Sequence, residues 1–397
     1  MTDSTSPPTE SEPKPKVALF ATNFGGYSQT FIYDEVSRHR GYEVEVFARN
    51  RENPKVFDFP RVNALKPYSS KRGWAEWALY GGTMISPRFM RRIHGGDFKV
   101  LHAHFGPGSI YALPYHLSAG LPLVVTFHGY DVPLLSTPRR FEPKFWRYWG
   151  LSKLMLRRVS RFLAASNELR DQLIALGAPP DRVRVWRLGV EIPPLEQAPE
   201  GRSGNNVFLV GRFVEKKGFE YAIEAFARVV AKGVDATLHI AGDGELRPVY
   251  GEIIAKHGIA DRVKFLGVLS HEDVLDTMLR MDILMCPSVV AANGDRESGI
   301  LVAKEAGARY IPVIGTWHGG IPEIIEDGET GYLVAERNPA EIATRLEALL
   351  REPELRARLG AAARSKMVQE YDIDKRIDVL EDHYTEVIEE HARRQAR

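Results

Sequence analysis

Residues Glu297-Ser-Gly-Ile-Leu-Val-Ala-Lys-Glu305 place two carboxylates eight positions apart in a chain of 397 residues. The run follows the apolar stretch Ile283-Leu-Met-Cys286 and a loop rich in Gly, Asn and Asp, so it is expected to open a helix at the carboxyl end of a strand. On a helix rising about 1.5 Å per residue, the two carboxylates lie about 12 Å apart along the axis. A helix start offers unpaired N–H groups and a positive dipole end, so those of Gly299, Ile300 and Leu301 could hold a diphosphate. Carboxylates accept hydrogen bonds from vicinal hydroxyls, and a span of this length joins a sugar to a ribose across a diphosphate. The same spacing is common on solvated helices, so the pair alone decides little.

A second segment, Gly211-Arg-Phe-Val-Glu-Lys-Lys-Gly218, lies between a strand and a helix. Arg212 and Lys217 could neutralise a pyrophosphate leaving group, with Gly211 letting the backbone come close. A basic surface turn reads equally well. The segment is not a Walker loop, and GxGxxG is missing. Gly25-Gly26 after the first strand and His128-Gly129 after strand 123–127 occupy βα loops, where ligand-facing residues concentrate. His128 could meet a sugar hydroxyl or simply cap a strand end. His102 and His104 share one strand face; packing or acceptor contact is favoured over metal binding, because no Cys or carboxylate is near in sequence. His318-Gly-Gly-Ile-Pro-Glu323 suggests a tight loop at the same ligand edge. Asp372-Ile-Asp374 has the letters of a metal-binding DxD motif but lies away from the expected strand ends, and is set aside.

Positioning these groups requires two alternations of strand and helix. The first runs through Lys16–Thr22, a helix over 29–39, Tyr42–Phe47, Val100–His104, Leu123–Phe127, Arg161–Ala165 and Val183–Trp186. A Pro/Gly-rich stretch, Glu191–Asn206, reads as a linker. The pattern then restarts with Val207–Val210, a helix over 219–231, Thr237–Ile240, Val263–Leu266, Ile283–Cys286 and Ile311–Ile314. Such alternation predicts parallel sheets covered on both faces. The expected organisation is a disordered tail over 1–15, an α/β domain over 16–190, a linker over 191–206, a second α/β domain over 207–372, and a C-terminal helix over 373–397 packing back on the first domain. Two such domains form a cleft between their strand ends.

Composition narrows the class. Lys+Arg 53 against Asp+Glu 52 disfavours a general nucleic-acid binder. The single cysteine, Cys286, sits in an apolar run and reads as a core residue. The N-terminus lacks an apolar core, and no run spans a bilayer, so a cytoplasmic location is expected. Ser136–Arg161 interleaves eight Lys or Arg with Phe145, Trp146, Tyr148 and Trp149. An anionic membrane surface or lipid-linked acceptor, and a solvated basic face with inward-packed aromatics, are equally good readings.

Taken together, Gly211-Arg…Lys217-Gly218, Gly242-Asp-Gly244, Phe265-Leu-Gly267, Glu297…Glu305 and Gly319-Gly-Ile-Pro-Glu323…Gly331 resemble glycosyltransferase family 4, retaining enzymes of the GT-B fold. Tyr27-Ser-Gln-Thr-Phe31, His102-Ala-His-Phe-Gly106 and Phe127-His-Gly-Tyr-Asp131 resemble members from bacterial exopolysaccharide and lipopolysaccharide assembly. The resemblance implies two Rossmann-like domains and transfer of a hexosyl unit from a nucleotide-diphosphate sugar, UDP before GDP, to a glycan expected to be lipid-linked. It implies no metal or other cofactor. Glu297 would contact the donor sugar, Glu305 the ribose, Arg212 and Lys217 the diphosphate, His128 the transferred sugar, and backbone from Leu266 to Val268 the base. The family's usual Glu-Gly-Phe-Gly is Glu297-Ser-Gly-Ile here, which bears on sugar identity. Alternatives are a small soluble acceptor, a sugar-nucleotide epimerase, a phosphorylase, or a non-catalytic sugar-nucleotide binder on the same fold.

Overall fold

Strands that are apolar throughout can be satisfied only when both faces are covered, and that condition shapes the protein. The computed structural model describes residues 13–26 and 29–396. Positions 1–12 of the expected tail, and Tyr27 and Ser28, lie outside the described residues. The first sheet contains β1 (Lys16–Phe24), β2 (Glu43–Arg51), β3 (Val62–Lys66), β4 (Phe98–His104), β5 (Leu123–Phe127), β6 (Arg161–Ala164) and β7 (Val183–Val185). The second contains β8 (Asn206–Val210), β9 (Thr237–Ala241), β10 (Val263–Gly267), β11 (Ile283–Cys286), β12 (Val313–Thr316) and β13 (Gly331–Val334).

The orders are β3-β2-β1-β4-β5-β6-β7 and β10-β9-β8-β11-β12-β13. Every strand pair is parallel. Both sheets reverse direction of winding beside their first strand, so β1/β4 and β8/β11 are the crevices where doubly wound sheets receive ligands. Two strands escape the sequence pattern. β3 is a five-residue edge strand, and β13 is a four-residue edge strand beginning at a glycine. The strand expected at 311–314 begins two residues later, after Pro312.

A core lies on each face of each sheet. In the first domain, Phe20, Phe47, Phe89 and Tyr115 fill one side. The other side is closed by the C-terminal helix Ile373–Gln395, whose Ile377, Leu380, Tyr384 and Val387 follow a helical stripe. Arg161 fixes that helix through Glu386 and Glu390, each at 2.9 Å, and Trp186 Nε1 donates to the Arg376 carbonyl at 2.9 Å. In the second domain, helix Phe219–Ala231 buries Ala222, Phe226 and Val229. The chain crosses between domains twice at one place: Val190 N–H donates to the Tyr371 carbonyl at 2.8 Å, and Ile373 N–H to the Val190 carbonyl at 3.1 Å.

Candidate active site

The carboxyl ends of the two sheets face each other across a cavity of about 510 Å³. Arg212, Lys217, Glu297 and His128 all line it, as do Gly211, Gly299, Ile300, Leu301 and Glu305. Gly25, Gly26 and Val268 are not among its lining residues. A Cβ on Gly25 would meet the Glu52 carbonyl, and one on Gly26 the Glu52 carboxylate, so those glycines serve a turn against Glu52. Val268 is 77% exposed.

The cationic wall comes from the loop after β8. Glu215–Lys217 forms one tight 3-10 turn, ended by Gly218 at φ +61°. A side chain there would drive into the Pro287 carbonyl, so the turn needs glycine. Lys217 and its neighbour Lys216 then both reach Glu297 Oε1, at 3.2 and 3.4 Å. Lys216 also pairs with Asp295 at 3.4 Å. Arg212 lies exposed at the cavity edge, with no ion pair among the described residues. Burial alone would raise the Glu297 carboxyl, but Lys217 and Lys216 hold it down at about 2. The site therefore keeps a carboxylate and two ammonium groups in mutual contact.

The helix expected to start near Ser298 instead covers Leu301–Gly307, so Glu297 precedes it and the 12 Å separation along one axis does not apply. The reason is local. Glu297 and Ser298 lie against the turn Gly319-Gly320, where side chains would collide with the carbonyls of Glu297 and Ser298. Glu297 N–H donates to His318 Nε2 at 3.0 Å, and His318 Nδ1 bonds Glu336 at 2.7 Å. These contacts tie the segment before Leu301 to the Gly319-Gly320 turn. Glu305, on that helix, bonds His271 Nε2 at 2.7 Å, and this contact raises the imidazole's pKa.

The opposite wall belongs to the first domain. His128 follows β5 and is held in a loop organised by Asp131, whose buried carboxyl accepts from the N–H groups of Gly106 and Gly129, each at 2.9 Å. The His128 ring lies between Phe31, at 4.7 Å, and Phe105, at 4.5 Å. Burial, and then His104, keep it well below the usual histidine pKa. His102 and His104 do meet a carboxylate, which sequence proximity could not show. Glu35 lies beside both, their ligand atoms all within 4.8 Å. All four ring nitrogens already have partners: Tyr384 and Thr126 for His102, His128 and Glu35 for His104. Lys216, Arg296 and His271 are cavity residues the sequence reading did not single out.

The seam beyond the cavity is polar. Ser166 and Ser298 hydroxyls lie 3.2 Å apart, Arg296 pairs with Glu168, and Glu323 accepts from Asn167 N–H at 2.6 Å and from Arg187. Charge gathered on one wall and buried imidazoles on the other suit departure of an anionic diphosphate from a hydroxylated group.

Relatedness agrees with this geometry. Residues 196–366 match the family description "Glycosyl transferases group 1", and residues 35–192 match "Glycosyltransferase Family 4". The chain is 30% identical to the amylovoran biosynthesis glycosyltransferase AmsK of Erwinia amylovora, covering 90% of this chain and 96% of that one. It is 28% identical to WcaL of Salmonella typhimurium, named as a colanic acid biosynthesis glycosyltransferase, with the same coverage of 90% and 96%. Among solved structures, Anabaena HepE in complex with UDP and glucose superposes with a TM-score of 0.74 at 19% identity, covering 94% of this chain and all of that one. The chain thus belongs to glycosyltransferase family 4 and has the two-domain GT-B fold.

Proposed function

We propose that the protein is a retaining, metal-independent glycosyltransferase that moves a hexosyl unit from a nucleotide-diphosphate sugar to a lipid-linked glycan in cell-surface polysaccharide biosynthesis. UDP-sugars are the first expectation and GDP-sugars the second. The observation that carries the reading is the cluster of Lys216, Lys217 and Glu297 on the rim shared with Arg212, facing His128 across one cavity. Negative charge grows on the diphosphate as it leaves; Lys217 and Arg212 stand where they would stabilise it. Glu297 would accept from the sugar's hydroxyls and Glu305 from the ribose. The acceptor hydroxyl would attack from the face the diphosphate leaves and pass its proton to the departing phosphate oxygen, so no protein nucleophile is required. The names of AmsK and WcaL support polysaccharide assembly, and the HepE complex supports a UDP-sugar.

A thermal-shift panel of UDP-, GDP-, ADP- and TDP-sugars tests the donor class, since a ligand bound only by the folded state raises the melting temperature. One nucleotide series is expected to stand out; no shift with any of them refutes the reading. Proton NMR of the first-formed product then reads the anomeric configuration, and inversion would overturn the retaining assignment.

The basic aromatic segment divides. Tyr148 is buried, whereas Phe141, Trp146 and Trp149 are 48–58% exposed. Trp74 and Leu79, on helix Lys71–Thr83, are exposed as well, and Arg147 links the two helices by donating to the Gly81 carbonyl. Exposed indoles among arginines suit an anionic bilayer surface that carries the acceptor. Co-sedimentation with phosphatidylglycerol vesicles checks this, and an unbound protein at low salt would refute it. No helix among the described residues is long and apolar enough to cross a membrane.

A further inference from the structure

His128 touches the cavity with one ring nitrogen already committed, and what stands behind that nitrogen decides the chemistry of the other. Its Nε2 lies 3.0 Å from His104 Nδ1, and His104 Nε2 lies 3.2 Å from Glu35 Oε1. The remaining nitrogen, His128 Nδ1, is buried and has no hydrogen-bond partner. The rings of His104 and His128 are nearly parallel, 16° apart.

We propose that Glu35 and His104 are positioning residues that lock His128, the residue the family resemblance sets beside the transferred sugar, in one tautomer with its proton on Nε2 and its Nδ1 a bare acceptor. The inference rests on the nucleotide-sugar reading above and deepens it. The bookkeeping is direct. An ionised Glu35 can only accept, so His104 donates from Nε2. A neutral His104 then has only a lone pair at Nδ1, so His128 must donate to it from Nε2. A neutral His128 is left with a lone pair at Nδ1. Each link dictates the next because an imidazole with one N–H has one donor and one acceptor. The depressed basicity of His128 agrees with a neutral ring.

The order of elements explains why the relay is rigid. Glu35 is 2% exposed on helix Thr30–Arg38, His104 ends β4, and His128 follows the neighbouring strand β5. His102 stands beside Glu35 at 3.5 Å, with its own nitrogens taken by Tyr384 and Thr126, so it leaves Glu35 free to direct His104. A wall of this kind accepts a sugar hydroxyl and disfavours a sugar with no donor at that position, because an unmade bond to a buried polar group is costly.

The test is nitrogen NMR on the full chain with ¹⁵N-labelled histidine. In the free wild-type protein, His128 is expected to carry its proton on Nε2, with Nδ1 unprotonated; a proton on Nδ1 overturns the relay. Adding UDP-glucose is expected to move the Nδ1 resonance in the direction of an accepted hydrogen bond, while UDP alone leaves it in place. Equal responses to both overturn the sugar-reading role. Glu35→Ala is expected to remove the single-tautomer signature and lower kcat/KM for UDP-glucose about tenfold, with Glu35→Asp restoring most of both. Retention of the signature in a folded Glu35→Ala protein also overturns the proposal. The tautomer is read without any ligand, so failure of the donor class in the melting panel is distinguishable from failure of the relay.

Discussion

The two walls of the cleft handle polarity in opposite ways. The second-domain wall concentrates full charge: Lys216 and Lys217 both contact Glu297, and Arg212 lines the same cavity. The first-domain wall sets the carboxylate of Glu35 behind two histidines and presents a neutral ring framed by Phe31 and Phe105. The two walls divide the labour. Charge is placed where a leaving diphosphate would accumulate it, and neutral, water-poor surface where a sugar would sit.

Substitutions in the charged wall should be the most damaging. Lys217→Ala should lower kcat about 100- to 1,000-fold at saturating donor, by analogy with the loss of one group stabilising developing charge. An unchanged kcat would break the comparison, because that wall would then have no special part in turnover. Glu297→Gln should cost about 10- to 100-fold in kcat/KM, since it loses the ionic acceptor and leaves two lysines without their partner. The same substitution should flatten the acid limb of stability. The folded Glu297 pKa is depressed to about 2 from an ordinary 4.5, so its contribution is present above the ordinary value and fades as pH falls towards 2. Urea titrations of both proteins between pH 6 and pH 3 check that difference, about 3 kcal/mol at full size.

A smaller effect comes from behind the wall. His318→Ala removes the acceptor for Glu297 N–H and should raise donor KM about tenfold with the fold intact, measured by initial rates. The last effect is on stability and comes from Lys304, which is buried at the junction and donates to the Leu188 carbonyl at 2.8 Å. Burial, then Arg187 and Arg376, lower its pKa to about 7. The sign follows from a folded pKa below the unfolded 10.5: the cost of burying its charge is felt in full below pH 7 and fades as pH rises to 10.5. Lys304→Met should therefore raise the melting temperature at pH 6 and lose that advantage by pH 10. A constant difference across that range would show that the ammonium's burial is not the cause.

The sequence revealed what is local. The loop Gly211–Gly218 and the run Glu297–Glu305 are short windows at strand ends, and their cations and carboxylates converge on one cavity. The start of the helix was misplaced because nothing near Ser298 announces that its segment packs against the Gly319-Gly320 turn, with Glu297 bonded to His318, 21 positions away. Lys216 was passed over because neighbouring residues usually diverge, whereas one tight turn sends both lysines to the same oxygen. Glu35 and Tyr384 were beyond reach. Their histidine partners lie 69 and 282 positions away, and only the packing of two helices on β4 brings them together. The edge strands β3 and β13 were missed because short edge segments lack the long apolar run that marks a central strand.

The paired crossing at Val190 and Tyr371–Ile373 behaves as an axle. Two covalent passages bonded to each other tie the halves together along one line. The seam is also fastened by Arg296 with Glu168, and, beside Tyr371, by Glu323 with Arg187 and the Asn167 amide. Partly exposed ion pairs weaken in salt, whereas the backbone bonds of the axle do not depend on it. Raising the ionic strength is therefore expected to loosen the ion pairs of the seam and to leave the backbone bonds of the crossing in place.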